Sequence, residues 1–277
     1  MSPAPRPRLE AFFLAFLFAA LGIGGVWYGA QISMPDLASR HGAGIDAMLN
    51  YLLLTVGALF LIGYLALAYL IWTGARRPVI GTRLATRRTE LTLSALLGAG
   101  MALIAEGGVL AIGIPVWAEY FAAEAPGDAI TVEVTGQQFM WNARYPGTDG
   151  QFGRTDPGLI NDINNSIGLD RTDPAAADDI VTINDVTVPV NRPVRVRLKS
   201  RDVIHSFFLP HQRVKQDAVP GMTLDVVFLP TEEGEFEIAC AELCGLAHYR
   251  MRGFFNVVSD QKYQAWLAAN REPAGER

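Results

Sequence analysis

Three long apolar stretches constrain the fold of this chain more than any other feature. They cover residues 11–30, 47–75 and 91–118, and each is long enough to cross a bilayer, which takes about 20 apolar residues. The only charged residue inside them is Glu106. Because backbone groups in lipid must bond within their own segment, we expect three transmembrane helices within residues 1–118.

Arginines indicate how these helices are oriented. Clustered arginines mark the cytoplasmic side of a membrane protein. Such residues crowd the connection between the second and third stretches and also precede the first: Arg6, Arg8, Arg76, Arg77, Arg83, Arg87 and Arg88. We therefore expect residues 31–46 and 119–277 outside. A cleaved signal peptide is the alternative for the first stretch, but the run is long and Tyr28 stands where cleavage needs a small residue, so we favour a retained helix.

The outer region, residues 119–277, has a different character. It carries 15 basic and 23 acidic residues, against 8 and 5 before it, and no basic stripe typical of nucleic-acid binding. Short alternating strands separated by Pro and Gly predict an antiparallel sandwich or barrel; they cover residues 129–135, 180–183, 194–198, 223–228, 235–239 and 253–258. Residues 147–179 form an aperiodic insertion that could shape a docking face or cover a sheet edge. A capped terminal helix is expected over 261–270.

One stretch near the end of this region carries metal-binding chemistry. Cys240 and Cys244, the only cysteines, stand with His248 and Met251 in twelve residues, and His205 lies upstream. Sulfur ligands beside imidazole select copper or zinc, and a thioether favours copper. Two thiolates can bridge two copper ions, one taking His205 and the other His248, with Met251 and the Glu242 carbonyl as weaker ligands. A disulfide leaves the His and Met spacing unexplained, and a Cys2His2 zinc site has no use for Met251.

The pattern C-x-E-x-C-x-x-x-H-x-x-M with an upstream histidine resembles the subunit II family of haem-copper oxidases, whose dinuclear copper site is called CuA. The resemblance implies a membrane-anchored α plus all-β protein, with a cupredoxin-like Greek-key β-sandwich after the helices. It also implies that the Glu242 side chain reaches a magnesium ion at the interface with subunit I. The family usually has two helices, so the first of the three predicted here is a departure.

The resemblance implies roles for three further residues. Glu90 opens the third helix, where the macrodipole favours a carboxylate, and the family has a glutamate here at the mouth of a proton channel. Phe139 aligns with the tryptophan that receives electrons from cytochrome c. Trp141 is the alternative contact, or else a core aromatic, and the third alternative is a donor other than cytochrome c. Glu106 has no family role, and we expect it to be a protonated or hydrogen-bonded interface residue. His41 and His211 fit no ligand spacing and are expected at the surface.

The function implied is electron acceptance in a terminal respiratory oxidase of the bacterial inner membrane, with the β domain on the periplasmic side. Electrons would pass from a c-type cytochrome through CuA to haem in subunit I, which together with other subunits reduces O2 to water and translocates protons. The chain has no C-x-x-C-H, so the donor is expected to be a separate protein. Two alternatives remain, namely the CuA-bearing subunit of a nitric oxide reductase and a copper-free structural subunit of a quinol oxidase.

Overall fold

The chain divides into two compact units in a computed structural model that describes residues 7–75, 86–122 and 125–270. The first unit comprises Met1–Met34 and Asp46–Ile114 and contains the first apolar span and most of the other two. The second comprises Pro35–Ile45 and Pro115–Arg277 and contains every described strand.

The three expected spans are confirmed as helices long and apolar enough to cross a membrane. The first is α1 (Pro7–Gly29) and the second is α2 (Gly42–Gly74). The third begins with α3 (Arg87–Met101), continues through a π turn over Ala102–Glu106 into α4 (Gly107–Trp117), and ends in a second π turn over Ala118–Ala122. The sequence analysis did not predict the π turns. Arg6, Arg76, Arg77 and Arg83, on which part of the orientation argument rests, lie outside the described residues.

Small residues let the helices of the first unit approach one another. A Cβ at Gly22 of α1 would lie 2.7 Å from the Cβ of Tyr64 on α2, and one at Gly25 would lie 3.2 Å from the Phe60 ring. Such close approach is typical of membrane helices, where van der Waals contact replaces the hydrophobic effect as the driving force.

Ten strands form a sandwich of two five-stranded sheets. One sheet has the order β3-β2-β1-β5-β8 and the other β4-β10-β9-β6-β7. The pairs β1/β5 and β4/β10 are parallel and the others antiparallel, so the sandwich is mixed where a wholly antiparallel one was expected. The strands are β1 Ile130–Gln137, β2 Met140–Tyr145, β3 Ile180–Ile183, β4 Asp185–Pro189, β5 Val194–Ser200, β6 His205–Leu209, β7 Val214–Ala218, β8 Leu224–Phe228, β9 Gly234–Cys240 and β10 Arg252–Val258. The helix α5 (Asp260–Asn270) follows as expected.

The insertion explains why β2 does not alternate between apolar and polar residues. It covers the outer face of β1 and β2, so Asn142 and Arg144 are buried as well as the apolar residues of the inner face. Asn142 accepts a 2.6 Å hydrogen bond from the Ser166 hydroxyl, and Arg144 donates to the Gly153 carbonyl at 2.6 Å. Residues 147–179 are therefore a structured cover over the sheet.

A corner residue at Asn184 joins the two sheets. Its φ of 56° sends the chain from β3 in one sheet to β4 in the other, a conformation that Asn tolerates better than most residues. Its amide donates to the Trp141 carbonyl at 2.7 Å, and its carbonyl accepts from the Phe254 amide at 2.8 Å. The corner therefore holds β2 and β10 in register across the sandwich.

The segment Pro35–Ile45 packs within the second unit, and it corrects the expectation for His41. The Ala38 amide donates to the His211 carbonyl at 2.8 Å. His41 is 5% exposed and stacks on Tyr120 with the ring centroids 5.2 Å apart, so it is a buried residue and not a surface one. His211 is only partly exposed.

Candidate metal centre

The loop between β9 and β10 carries most of the expected metal ligands. Cys240 ends β9, Met251 immediately precedes β10, and the Cys240 amide donates to the Met251 carbonyl at 3.2 Å. Strand β6 begins at His205 and pairs with β9. This pairing brings the upstream histidine beside the loop although it lies 35 residues before Cys240.

Two free thiols lie at the centre of the loop, each beside an imidazole. The sulfur atoms of Cys240 and Cys244 are 3.8 Å apart and are not joined as a disulfide. His205 Nδ1 lies 4.0 Å from the sulfur of Cys240, and His248 Nδ1 lies 3.5 Å from that of Cys244. The two sulfurs and a nitrogen of His205 lie within 4.8 Å of one another, so one metal site could use all three.

Two weaker donors complete the arrangement on opposite sides. The Glu242 carbonyl oxygen lies 3.2 Å from the sulfur of Cys240, and the Met251 sulfur lies 3.7 Å from that of Cys244. Met251 is 2% exposed. A buried thioether that faces the sulfur pair adds a soft donor for which a Cys2His2 zinc site has no use, so the donor set fits copper better than zinc.

Hydrogen bonds from outside the donor set hold the site. Asp202 Oδ1 lies 2.8 Å from His205 Nε2, and Asp202 Oδ2 accepts from the backbone amide of Gln138 at 2.7 Å. The Gln138 side chain donates to the Cys244 carbonyl at 2.6 Å. Sequence reasoning missed Asp202 as a site residue, although its place three residues before the histidine was a usable signal.

Two glycines permit this close packing. A Cβ at Gly136 would lie 2.9 Å from the His205 ring. Gly245 has a φ of +138°, and a Cβ there would lie 2.7 Å from Gln138 Nε2 and 3.2 Å from the Phe139 ring. Strand β1 therefore packs against His205 only with glycine at position 136, and the β1–β2 turn packs against the ligand loop only with glycine at position 245.

The two thiols differ electrostatically. Burial raises the pKa of both, but at Cys240 hydrogen bonds with His205 and the Ser206 backbone outweigh burial and lower its pKa. Burial together with the neighbouring Cys240 raises the pKa of Cys244. A metal that binds both sulfurs must therefore displace a proton from Cys244.

The other residues singled out from the sequence occupy distinct environments. Trp141 is 0% exposed and packs against His205 with the ring centroids 5.9 Å apart, whereas Phe139 is partly exposed. The Glu242 side chain is exposed beside the loop. Glu90 lies in the first turn of α3, in the other unit, where the Thr86 side chain caps the helix by accepting from the Thr89 amide.

Residues 130–258 match the family described as cytochrome c oxidase subunit II, periplasmic domain. The chain is 41% identical over 190 residues to an alternative cytochrome c oxidase subunit 2 of Bradyrhizobium diazoefficiens, covering 68% of this chain and 66% of that protein. It is 31% identical over 252 residues to cytochrome c oxidase subunit 2 of Cereibacter sphaeroides, covering 88% of this chain and 80% of that protein. The solved periplasmic domain of cytochrome oxidase subunit II from Bradyrhizobium japonicum is 31% identical over 53% of this chain and 96% of that domain, with a TM-score of 0.39.

Proposed function

Because the chain belongs to the cytochrome c oxidase subunit II family, we propose that it is the electron-accepting subunit of a haem-copper oxidase and holds a dinuclear CuA centre. One observation carries the proposal: two free sulfurs lie 3.8 Å apart with an imidazole beside each. The alternative of a copper-free structural subunit of a quinol oxidase is disfavoured, because such a subunit would have no need of this donor set.

The proposed ligands are His205, Cys240, Glu242 through its carbonyl, Cys244, His248 and Met251. Copper supplies one-electron redox chemistry when bound. The protein keeps the donors in place through backbone hydrogen bonds. These join β6 to β9, and they join Cys240 to Met251 at the two ends of the ligand loop. Cys244, His205 and Met251 are buried, whereas Cys240 and His248 are partly buried, and this limits the access of water. The site therefore suits electron transfer and not substrate binding.

We propose a c-type cytochrome as donor and haem in subunit I as acceptor, with reduction of O2 to water and proton translocation in the assembled enzyme. Phe139 is the proposed contact for the donor because it is partly exposed and its ring lies against Gly245 in the ligand loop. The acidic outer region would steer a basic donor towards this surface.

Two carboxylates are proposed to act at subunit interfaces. Glu90, in the first turn of α3, would lie at the opening of a proton channel in the partner subunit. The exposed side chain of Glu242 would contribute a hard oxygen ligand to an interfacial magnesium ion.

The chain is membrane-anchored, and we propose the bacterial inner membrane as its location. Residues 1–118 would be the membrane region and residues 119–277 the extracytoplasmic domain on the periplasmic side. Arg87 and Arg88, at the start of α3, are exposed and support a cytoplasmic start for the third span.

Electron paramagnetic resonance of the full chain, purified in detergent and loaded with copper, tests the proposal. We expect one unpaired electron shared by two equivalent copper nuclei. Cys244→Ser should convert this signal to that of a single copper, whereas Asp225→Asn, on the distant strand β8, should leave it unchanged. A single-copper signal from the unmodified chain would refute the dinuclear assignment.

A further inference from the structure

Glu106 is a carboxyl group deep in the third apolar span. It lies 16 residues after Glu90 and 11 residues before Trp117, or about 24 Å and about 16 Å along a helix at 1.5 Å per residue. The other charged residues of the described spans lie within the first or last five residues of a span. Carboxyl groups at such depth are costly and almost always face another helix or a water-filled cavity, where they find a partner.

The local backbone turns Glu106 away from α2. The Tyr51 hydroxyl of α2 donates to the Ile104 carbonyl within the π turn, and Gly108 lies against the Tyr51 ring with no room for a Cβ. Ile104 and Gly108 therefore both face α2. Glu106 is two positions from Gly108, which is about 200° around an α-helix axis at 100° per residue, and the wider π turn keeps it about half a turn from Ile104. Glu106 therefore lies on the opposite side, and its side chain is exposed.

No part of the described chain supplies a partner for this carboxyl. The aromatic contacts that α1 makes with another helix are with α2, for example between Phe12 and Trp72, whose ring centroids are 5.9 Å apart. Among the residues that the structure describes, none forms a hydrogen bond or ion pair with Glu106. Its partner must therefore come from outside the described chain.

The surface around Glu106 suits a packed helix. Leu103, three residues before the carboxyl, is 76% exposed, and Leu110, four residues after it, is also exposed. At Gly107 a Cβ would meet only the Ala102 carbonyl oxygen, at 4.0 Å, so a neighbouring backbone could come close. We call Leu103, Glu106, Gly107 and Leu110 the Glu106 face.

We propose that the Glu106 face is the docking site for a transmembrane helix of another subunit, which presents a side-chain hydrogen-bond donor to the carboxyl. The depth of Glu106 excludes a lipid headgroup, since headgroups lie at the bilayer surface and the hydrocarbon core is about 30 Å thick. A second copy of this chain fits poorly, because two-fold pairing through this face sets carboxyl against carboxyl. A hydrogen-bond donor on a helix of another subunit can reach the depth of Glu106 and does not set one carboxyl against another.

This interaction is separate from the copper centre. It depends on the family membership only for the expectation that the chain works within a membrane complex, and it would hold if the centre proved to contain one copper or zinc. The π turn contributes to this arrangement. Its Ile104 carbonyl accepts from the Gly107 amide and also from the Tyr51 hydroxyl, which ties the start of α4 to α2.

Photo-crosslinking in the purified oxidase complex tests the proposal. A benzophenone amino acid at Leu103 reports on the face while Glu106 stays in place. A second probe at Leu54, an exposed residue of α2 three positions from Tyr51, serves as a control at similar depth. We expect the Leu103 probe to crosslink a different membrane subunit. Glu106→Leu should lower that yield about tenfold and leave the Leu54 probe unchanged, whereas Glu106→Gln should retain most of it.

Three outcomes would overturn the proposal: crosslinking from Leu103 to lipid alone, crosslinking to a second copy of this chain, or an equal yield with Glu106→Leu. The copper resonance signal of the same Glu106→Leu sample separates the two proposals. An unchanged signal with lost crosslinking supports the docking site whatever the nature of the metal centre.

Discussion

Asp202 lies 2.8 Å from the outer ring nitrogen of His205 and thereby sets which nitrogen faces the sulfur of Cys240. A carboxylate only accepts, so Nε2 carries the proton and Nδ1, 4.0 Å from the sulfur, keeps a lone pair for metal. The second carboxylate oxygen accepts from the Gln138 amide. One side chain thus links the β1–β2 turn to a metal ligand, as partners of ligating histidines commonly do.

Replacing Asp202 by asparagine should weaken copper binding. The amide can present an N–H to the ring in place of an acceptor, so the tautomer is no longer fixed, and we expect the affinity to fall about 10–100-fold. Competition against a chelator, with the full chain in detergent, measures this. Asp225→Asn removes a partly exposed carboxylate that pairs with Arg197 at 3.3 Å and should retain normal affinity. Equal losses in both variants would indicate a general charge effect.

Alanine at Gly245 should open the ligand loop. The added Cβ would displace the Gln138 side chain from the Cys244 carbonyl, which it now reaches at 2.6 Å. Gly221→Ala is the matched control, since its φ is +78° and nothing lies within 4 Å of a Cβ there. We expect Gly221→Ala to lower the free energy of unfolding by about 1 kcal/mol and Gly245→Ala by about 1–3 kcal/mol more. Denaturant titration followed by tryptophan fluorescence compares them, and similar losses would contradict the packing argument.

Phe139→Ala should slow electron transfer from reduced cytochrome c while leaving the copper signal intact. We expect a loss of about tenfold, or about 1.4 kcal/mol in activation free energy, because the ring is partly exposed beside the ligand loop. Stopped-flow reduction of the oxidase complex measures the rate. Leu159→Ala, at an exposed position of the insertion, should have no effect. Trp141→Phe should instead lower stability, since Trp141 is wholly buried between His205 and Phe207.

The sequence predicted the strands in which apolar and polar residues alternate. All six alternating strands are present. In β5 and β10 one face lies in the core and the other nearer solvent, as the alternation indicates, whereas β1 alternates in sequence although the insertion covers its outer face. Four strands, β2, β4, β6 and β7, were missed. At β2 the insertion covers the outer face, and β6 is buried along most of its length, so neither shows a period of two. The π turn at Ala102–Glu106 has no pattern of its own, since it depends on Tyr51 of another helix.

The donor set could be identified from the sequence because five of its six members lie within residues 240–251. The residues that orient it could not, since Gln138 meets the Cys244 carbonyl from 106 residues away. His41 was misplaced for the same reason. Its burial depends on Tyr120 and Phe228, whose rings lie 5.2 Å and 6.2 Å from it, centroid to centroid.

Glu133 should make the sandwich sensitive to acid. It is 6% exposed; burial raises its pKa, but Arg144 and Lys199 together outweigh burial and hold the pKa below its ordinary value of 4.5. The stabilisation that ionised Glu133 contributes is therefore complete above about pH 4.5, and it is lost as the pH falls through the pKa of Glu133 in the folded chain. Glu133→Gln should lower the free energy of unfolding by about 3–5 kcal/mol at neutral pH. It should also reduce the further loss of stability below about pH 4.5, which we call the acid limb.

Glu237→Gln is the control for Glu133, since Glu237 pairs with Arg252 at 3.3 Å with both side chains more than half exposed. We expect it to change the free energy of unfolding by no more than about 1 kcal/mol. Thermal unfolding of the full chain between pH 7 and pH 3 provides the comparison. An unchanged acid limb in Glu133→Gln would mean that other carboxylates carry it.

His41 should cause a second loss of stability as the pH falls, in a higher pH range than the loss due to Glu133. Burial lowers the pKa of His41 below 6.5, and the Arg213 backbone and the Glu119 carboxylate only partly oppose this. The unfolded chain therefore binds a proton below about pH 6.5 that the folded chain resists, so stability falls as the pH drops through that range. His41→Phe keeps an aromatic ring against Tyr120 and should abolish the loss between pH 7 and pH 5.5. His211→Asn leaves the buried imidazole in place and should retain it. Because Glu133 acts only below about pH 4.5, unfolding curves at half-unit pH intervals separate its effect from that of His41. If the loss of stability between pH 7 and pH 5.5 persists in His41→Phe, another residue causes it.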